Sequence, residues 1–484
     1  MNKRLVTGAL LALLSGTTAV AQEWMRVHHR AFDTPWTLPV MVDSIEEMRV
    51  TDAQKVLRAE MHDGFAVPLS ISDVDSIDFE QVFEAEEKNK YQVFQLFVYT
   101  EDGQGVHSKE EYVPCYVGIN GGDSYACRWQ RAGIRGRGNS TWEWYDKKPY
   151  RIKFEKKQKV LGMDKAKSWV LLANYRDLTD MMNTFVFELG RMMGMPYTNH
   201  TRYVELLMDG EYLGVYQLTE QVQQGDNRVA VSDDRGILLS LDVDDGPRGG
   251  SASERSFWTS GYRMPAAVKY PDEELLTPEL RDSIRDVFAE LEMAIMWQDY
   301  QWASQLLDME SLARYLIIQE LVYNVEIDAP RSVFLHKDGD GKWVMGPLWD
   351  FDAGYDFDWS DMYRGHGYFS NYKETVMGTN PVRRNGNYPD VPQFFTDLFG
   401  TQEFVELYKQ TWRQYSDSIV SRPWQEVERY AEGLRQGAMD REAQRWPVRG
   451  FSFRKELLQM RLWLQNRAQF LGDLIENIPE PGSH

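Results

Sequence analysis

Hydrophobic positions change their period about halfway along the chain. Up to about residue 222, short runs with apolar residues at alternating positions predict β-strands, as in YQVFQLFVYT at 91–100 and YRIKF at 150–154. From Pro278 onward, apolar residues recur at helical spacing, as in LARYLIIQELVY at 312–323. A β-rich half followed by a helix-rich half predicts an α+β fold with two lobes.

The first 21 residues have the pattern of a secretory signal peptide. Lys3 and Arg4 precede a short apolar run, and Ala19-Val20-Ala21 forms an A-x-A cleavage site. The apolar run is too short to span a bilayer, so we expect a protein that is not membrane-spanning. We expect it to be exported to the periplasm, the cell surface or the medium.

Changes of pattern and composition divide the chain into five segments. We predict a signal peptide at 1–21, an N-terminal β appendage at 22–85, a β-rich lobe at 86–222, a helical lobe at 223–475 and a disordered tail at 476–484. In the appendage, residues 37–50 and 66–79 echo each other, which is typical of small β-hairpin units. Residues 225–275, rich in Gly, Asp, Ser and Pro, are interpreted as an irregular insertion.

Composition narrows the classes of function. The 484 residues carry a net charge of −20, which argues against a general nucleic-acid binder because phosphate backbones require a basic face. The two cysteines, Cys115 and Cys127, fit either one disulfide in an oxidising compartment or two buried free thiols.

Acidic residues stand on either side of a predicted hairpin in the second half. Two β-type runs, SVFLHK and KWVMGPLW, are joined by the turn signal at 338–341, with Asp328 before them and Asp350 and Asp352 after them. Because a hairpin returns the chain to its start, Asp328 and Asp350 can face one site. Clustered carboxylates suit a hard cation such as Mg²⁺. The alternative is a surface hairpin whose acids only keep it soluble.

The first half contains an unusual concentration of basic residues for so acidic a protein. In RGRGN, glycines between arginines allow Arg135 and Asn139 to approach an anion, although a tight turn packed by Trp142 explains the same pattern. In KKPYRIKF at 147–154, the bases alternate with apolar residues. This strand is either the phosphate-facing wall of a pocket or a solvated strand face.

A helix is predicted from Asp177 to Met193, with acidic residues at its start that suit the helix dipole. Apolar residues recur along it at helical spacing and are expected in the core. Glu188 falls among them, and it is either a partly exposed acid or the partner of a strand lysine.

Taken in order, these motifs resemble the spore-coat protein H (CotH) kinase family, whose members are secreted or surface proteins with an atypical protein-kinase-like fold. The resemblance covers about residues 90 to 440. It rests on RGRGNSTW at 135–142, KKPYRIKF at 147–154, LGMDKAKSWVLLANYRDLTDMMN at 161–183, VELLMDGEYLGVYQLTEQV at 204–222 and GPLWDFDAGY at 346–355.

The resemblance implies ATP binding between two lobes and transfer of the γ-phosphoryl group to protein hydroxyls with Mg²⁺ or Mn²⁺. Lys153 is then the candidate for the α- and β-phosphates, Lys148 the reserve, and Glu188 the partner of that lysine. Arg135 and Asn139 take the place of the missing glycine-rich loop.

The same resemblance assigns the second half of the site. Residues 218–222 look like the hinge, so that the backbone of Glu220 and Val222 meets the adenine. Asp328 looks like the catalytic acid and Asp350 like the metal-binding acid, with Asp352 as an alternative or second metal contact.

The sequence departs from typical kinases at two points. The H-R-D signature is absent, and Val333 occupies the position of the asparagine that binds a second metal ion. The alternative function is therefore a catalytically silent kinase-like module that binds an envelope protein or a glycan through its aromatic residues. Another metal-dependent phosphotransferase or hydrolase is the third class that the acidic residues allow.

Overall fold

The computed structural model describes most of the chain after the predicted signal peptide. It covers residues 23–31, 34–41, 45–51, 56–61, 66–70, 74–81, 89–121, 129–249, 253–357, 364, 367–376, 392–448 and 450–481. The signal-peptide prediction falls outside these residues, as does Cys127. The chain divides into two compact units, the first made of 1–173, 202–218 and 433–447, the second of 174–201, 219–432 and 448–484.

The described chain is a mixed α+β protein, as predicted. Its strands are β1 Glu23–Ala31, β2 Thr34–Met41, β3 Ile45–Thr51, β4 Val56–Met61, β5 Ala66–Ser70, β6 Val74–Gln81, β7 Val93–Thr100, β8 Val113–Asn120, β9 Gln130–Gly136, β10 Tyr150–Val160, β11 Met163–Leu172, β12 Arg202–Met208, β13 Glu211–Glu220, β14 Gly236–Leu241, β15 Ser256–Trp258, β16 Pro265–Tyr270, β17 Val333–Asp338 and β18 Trp343–Met345. Its α-helices are α1 Ser140–Trp144, α2 Met182–Met192, α3 Pro278–Met296, α4 Tyr300–Leu306, α5 Met309–Leu321, α6 Gln402–Tyr415, α7 Ser421–Leu434, α8 Ala438–Arg445 and α9 Phe453–Glu476.

Seven strands of the first unit close into a barrel in the order β10-β11-β13-β12-β7-β8-β9. On β10, Tyr150, Ile152 and Phe154 are buried in the barrel core, whereas Lys153 is exposed. This alternation confirms the predicted two-faced strand, because successive side chains of a strand point to opposite faces.

The six strands before the barrel form two three-stranded sheets, β2-β1-β6 and β3-β4-β5. Each echoing segment contributes one strand to each sheet, and the consecutive antiparallel pairs β1–β2, β3–β4 and β4–β5 are β-hairpins, as predicted for the appendage. Met25 and Val27 of β1 are buried in one cluster with Phe97 and Tyr99 of the barrel. The appendage thus packs against the barrel wall through its apolar face.

The second unit contains a five-stranded sheet in the order β15-β16-β14-β17-β18. The predicted acidic hairpin is present, with Leu335 opposite Met345 and Lys337 opposite Trp343. The interpretation of 225–275 as an irregular insertion is wrong, because it supplies β14, β15 and β16. Strand β14 pairs with β17 along its whole length, and its residues alternate little because both faces are covered.

The helical pattern of the second half is confirmed. Helix α5, Met309–Leu321, contains most of the predicted helical run at 312–323. Side-chain caps fix several starts, as where Asp308 accepts hydrogen bonds from the Glu310 and Ser311 amides. The predicted helix at 177–193 begins later, at Met182, because Asp177 holds the preceding residues in a turn. None of the helices in the described part of the chain has the length and apolarity needed to cross a bilayer.

Two further sequence predictions concern single residues. Cys115 lies on β8 as a buried free thiol whose pKa is raised by burial, which is the second of the two predicted alternatives for this residue. Ile478, in the segment predicted to be a disordered tail, is buried, and its carbonyl accepts a hydrogen bond from Lys409 Nζ (2.9 Å).

Candidate functional site

The hairpin of the second unit presents acidic residues at both of its ends. Before it, a short 3-10 helix Val325–Ile327 is capped by the Asn324 side chain, and half-buried Asp328 ends it. After it, Asp350 follows the buried run that continues β18. The predicted placement of Asp328 and Asp350 at the two ends of one hairpin is therefore observed in the fold.

Electrostatic coupling joins Asp350 and Asp352 to a third acid, Glu326. Burial, followed by the charges of Asp350 and Asp352, raises the pKa of Glu326 well above its usual value. Burial, followed by the charge of Asp350, raises the pKa of Asp352 to about 8. Neutral Asp352 can donate a hydrogen bond to Asp350, which favours its protonated form further. The region therefore holds more carboxylates than it can ionise at neutral pH without a cation.

Asp242 extends this acidic cluster from the loop after β14. Its Oδ2 accepts a hydrogen bond from the Ser332 amide (2.9 Å), and its Oδ1 accepts one from the Asp244 amide (2.9 Å). Burial, followed by the charge of Asp245, raises the pKa of Asp242 to about 6. Sequence reasoning missed Asp242 because its segment was assigned to an irregular insertion; the signal was the apolar run ILLSL directly before DVDD.

Asp177 and Arg176 approach Asp352 from the turn before α2. The charge of Asp177 raises the pKa of Asp352, and that of Arg176 lowers it. Asp177 itself accepts hydrogen bonds from the Thr179 amide (2.8 Å) and the Met182 amide (2.9 Å), and burial raises its pKa despite them. The Arg176 guanidinium lies 3.9 Å from the ring centre of Phe357. This cation–π contact positions a positive charge near Asp352.

The loop at 350–356, called the acidic loop below, contains several residues whose backbone lies in the left-handed region. Asp350 has φ +65°, Tyr355 +59° and Asp356 +64°, and Ser332 at the start of β17 has +54°. Such conformations are costly for residues other than glycine and persist only where the surroundings determine them. Their concentration around Asp350 and Asp352 is typical of a functional site.

The predicted hinge residues lie in a polar network. Glu220 is buried, and its carboxylate contacts His200 Nδ1 (2.7 Å) and Arg228 Nη1 (3.7 Å). Burial raises the pKa of Glu220, but the hydrogen bonds and charges of these partners outweigh it and leave the pKa below its usual value. The Glu220 carbonyl accepts from Asn199 Nδ2 (2.6 Å), and the carbonyl of buried Val222 accepts from the Gln221 side chain (3.3 Å).

In the first unit, two of the predicted basic residues share one aromatic neighbour. The Tyr112 ring centre lies 5.1 Å from the Arg135 guanidinium and 6.0 Å from Lys153 Nζ. Arg151 lies opposite Arg135 across the β9–β10 pair, and burial, with Arg135 among the further causes, lowers its pKa. The structure thus brings Arg135 and Lys153 together on one face of the barrel wall.

The two other candidate residues of the first unit, Asn139 and Lys148, lie near the short helix α1. Asn139 is exposed and precedes α1 without a side-chain capping bond. Lys148 is half-buried and donates a hydrogen bond to the Trp142 carbonyl (2.6 Å), with its ammonium 5.7 Å from the Trp142 ring centre. Trp142 therefore packs this turn, which agrees with the interpretation of RGRGN as a tight turn packed by Trp142. It also contacts Lys148.

The neighbouring Lys147 was not singled out from the sequence, although it is the buried lysine of the motif. Its Nζ forms an ion pair with Glu442 (3.0 Å), with both side chains almost fully buried. Glu442 also accepts a hydrogen bond from the Val215 amide (2.9 Å). Sequence pattern gives no signal for this pair, because the partners are almost 300 residues apart.

Glu188 of α2 has a partner within its own helix. Its carboxylate binds Arg191, one turn further along the helix, through two hydrogen bonds of 2.6 and 3.2 Å. Arg191 in turn donates to the Asn199 carbonyl (2.7 Å). Arg191 is thus the partner that the second unit itself supplies to Glu188, as helical spacing allows, and the pairing of Glu188 with a strand lysine stays a prediction.

The donor set of the acidic loop fits a hard divalent cation. Asp350 and Asp352 supply two carboxylates; burial and then the charge of Asp350 raise the pKa of Asp352, and a cation would relieve that repulsion. Within the described ranges, no group of three or more His, Cys, Asp or Glu side chains is arranged to hold a metal by itself. Substrate phosphate and water oxygens would complete such a shell, as is usual for Mg²⁺.

Comparison with protein families gives one match. The family model described as CotH kinase protein matches residues 134–471 of the 484-residue chain, which is more than two thirds of its length. The matched range contains the basic strand, the hinge candidates and the acidic loop. No curated protein matches the chain.

Proposed function

Because the chain belongs to the CotH kinase protein family, we propose that it is an exported, two-lobed kinase-like enzyme that transfers the γ-phosphoryl group of ATP to hydroxyl groups of proteins. The observation that carries the proposal is the set of neighbouring carboxylates Glu326, Asp350 and Asp352, in which burial and then the charge of Asp350 raise the pKa values of Glu326 and Asp352. Structural acids on a protein surface have no reason to be gathered at this electrostatic cost.

In the proposed reaction, Asp350 and Asp352 hold Mg²⁺ or Mn²⁺. A divalent cation bound there would neutralise charge on the phosphate oxygens during transfer. For both carboxylates to be ionised at neutral pH, Asp352 would have to lose a proton, because its pKa is raised to about 8. Cation binding and proton release are therefore linked at this residue.

Asp328 is proposed to orient the acceptor hydroxyl and to accept its proton. It ends the short 3-10 helix next to Glu326, so it belongs to the same loop as the acidic cluster. An aspartate near the acceptor supplies positioning more than basicity, since the transition state of phosphoryl transfer is loose.

For nucleotide binding we propose the residues that the family resemblance assigns. Support for a phosphate-binding role of Lys153 and Arg135 comes from their common position at Tyr112, with Lys153 exposed. Lys148 and Asn139 are further candidates, and the backbone of Glu220 to Val222 is the proposed adenine contact. The network of Asn199, His200 and Arg228 around Glu220 keeps that backbone rigid.

A second candidate function is a catalytically silent module that binds an envelope protein or a glycan. The absence of the H-R-D signature, together with Val333 at the position of the asparagine that binds a second metal ion, favours it, because protein kinases use both for phosphoryl transfer. The exposed Trp144 and Trp297, with 54% and 70% of their surface accessible, are the aromatic residues that such a surface would use.

Phosphoryl transfer separates the two functions. Purified protein is incubated with γ-labelled ATP and MnCl₂, alone and with a general acceptor such as casein, and labelled protein is counted. We expect incorporation by the wild type, and a loss of at least 100-fold in Asp350→Ala and Asp328→Asn. Incorporation that is equal in all three proteins, or absent from the wild type, would leave the binding module as the better account.

A further inference from the structure

A side chain of α2 binds the backbone of the acidic loop between its two carboxylates. Asn183 Oδ1 accepts a hydrogen bond from the Phe351 amide at 2.8 Å, and only 2% of the Asn183 surface is accessible. Because an amide NH₂ group cannot accept a hydrogen bond, this contact fixes which end of the Asn183 amide faces the loop.

The position of this hydrogen bond matters because Phe351 stands between Asp350 and Asp352. The peptide group between Asp350 and Phe351 is planar. A hydrogen bond that fixes the direction of the Phe351 N–H therefore also fixes the direction of the Asp350 C=O bond. Asp350 is in the left-handed region with φ +65°, a conformation that needs support from its surroundings. Asn183 supplies one such support from a buried, regular helix.

The same turn of α2 also holds the far end of the loop. The Tyr355 hydroxyl donates a hydrogen bond to the Met182 carbonyl at 2.9 Å, and the Tyr355 amide donates to the Val322 carbonyl at 2.6 Å. Tyr355 is fully buried but lies three residues beyond Asp352. Among the described residues, the first turn of α2 thus makes two hydrogen bonds to this loop, and the Asn183 bond is the one that lies beside the carboxylates.

We propose that Asn183 is a positioning residue that sets the Asp350 and Asp352 carboxylates for a divalent cation. This inference rests on the proposed function, because it assumes that these two carboxylates hold the cation. Groups that orient metal ligands without touching the metal typically change metal affinity by 10 to 100-fold when they are removed. Asn183 would act through the backbone of Phe351, whereas Tyr355 only anchors the loop.

The test is Mn²⁺ binding to the full chain, measured by isothermal titration with MnCl₂ in the presence and absence of ATP. Asn183→Leu removes the acceptor at nearly constant volume, and Asn183→Asp keeps an oxygen acceptor of the same shape. Tyr355→Phe removes the other helix-to-loop bond as a matched control. We expect Asn183→Leu to weaken Mn²⁺ binding at least tenfold, and Asn183→Asp and Tyr355→Phe to stay within threefold of the wild type.

Thermal unfolding separates positioning from general stability. Tyr355→Phe should lower the melting temperature without a matching loss of affinity. If Asn183→Leu does not fold by circular dichroism, Asn183→Ala takes its place with the same expectation. An Asn183→Leu or Asn183→Ala protein that binds Mn²⁺ as tightly as the wild type would overturn the positioning role. Equal losses of Mn²⁺ affinity in Asn183→Leu and Asn183→Asp would overturn it too. Absence of Mn²⁺ binding in both the wild type and Asp350→Ala would instead overturn the proposed function, and this inference with it.

Discussion

Replacing Asp352 by asparagine should stabilise the metal-free protein, most strongly at alkaline pH. Burial, followed by the charges of Asp350 and Asp177, raises the pKa of Asp352 from 3.8 to about 8. Between these values the folded protein keeps a proton that the unfolded chain has released. The free energy of unfolding must therefore fall as the pH rises through this range, because the folded state binds more protons.

The size of the effect follows from the shift. One pH unit corresponds to about 1.36 kcal/mol per proton, so a rise from 3.8 to about 8 sets an upper limit of about 5 to 6 kcal/mol. Solvent reaches the half-buried carboxyl and screens part of the repulsion, so we expect about 2 to 3 kcal/mol between pH 5 and pH 9. Asparagine has no proton to lose, and the variant should lack this fall.

Urea unfolding followed by tryptophan fluorescence measures the difference, at pH 5, 7 and 9 with EDTA present. The control is Asp440→Asn on the exposed side of α8, which should keep the pH dependence of the wild type. In a separate series without EDTA, MnCl₂ should restore stability to the wild type at pH 9 but not to the Asp352 variant. An Asp352→Asn protein whose stability falls with pH as steeply as that of the wild type would refute the electrostatic reasoning.

Three further perturbations follow from buried contacts. Arg467→Leu should cost about 3 to 5 kcal/mol, because it leaves the fully buried Glu320 carboxylate without the cation 3.1 Å away. Glu220→Gln should cost about 1 to 3 kcal/mol at pH 7, from lost hydrogen bonds to a charged group. The folded pKa of Glu220 is lowered, so this stabilisation is present at neutral pH and is lost as the pH falls through that value. Gly136→Ala should cost about 1 to 3 kcal/mol, because its Cβ would lie 2.3 Å from the Trp142 ring.

Matched control variants accompany the Arg467 and Gly136 changes in urea unfolding. Arg429→Leu removes an exposed ion pair of α7 and should leave the unfolding midpoint nearly unchanged. Gly472→Ala adds a methyl group at ordinary contact distance within α9 and should be neutral or stabilising. A Glu220→Gln protein that is equally destabilised at pH 3 and pH 7 would contradict the assigned charge effect, and an Arg467→Leu protein as stable as the Arg429 control would contradict the buried-pair argument.

Local pattern carried much of the fold from the sequence. The two-residue periodicity of β10, the turn signal before β18 and the helical spacing of α5 each depend on neighbouring residues alone, and all three are observed. The segment at 225–275 failed because Gly, Asp and Ser around short strands mask the alternation. Strands β14 and β16 owe their structure to pairing with β17 and with each other, which no local pattern records.

The acidic loop was predictable for the same local reason, since a hairpin brings its two ends together. Contacts between distant segments were not predictable. The Asn183 bond to Phe351 joins residues 168 positions apart, and Lys147 to Glu442 spans 295. Glu188 shows what local spacing does predict: the helix itself offers Arg191 three residues away, whereas the lysine that the family resemblance assigns is distant in the sequence.

The most direct test of the central claim is a thermal shift with ATP and MnCl₂ on the wild type and on Asp350→Ala. A ligand that binds only the folded state at about 100 times its Kd stabilises it by about 2.7 kcal/mol. The account predicts a clear rise in the melting temperature of the wild type that needs both ATP and Mn²⁺, and its loss in the variant. An unchanged melting temperature in both proteins, or an equal rise in both, would contradict a nucleotide–metal site built on the acidic loop.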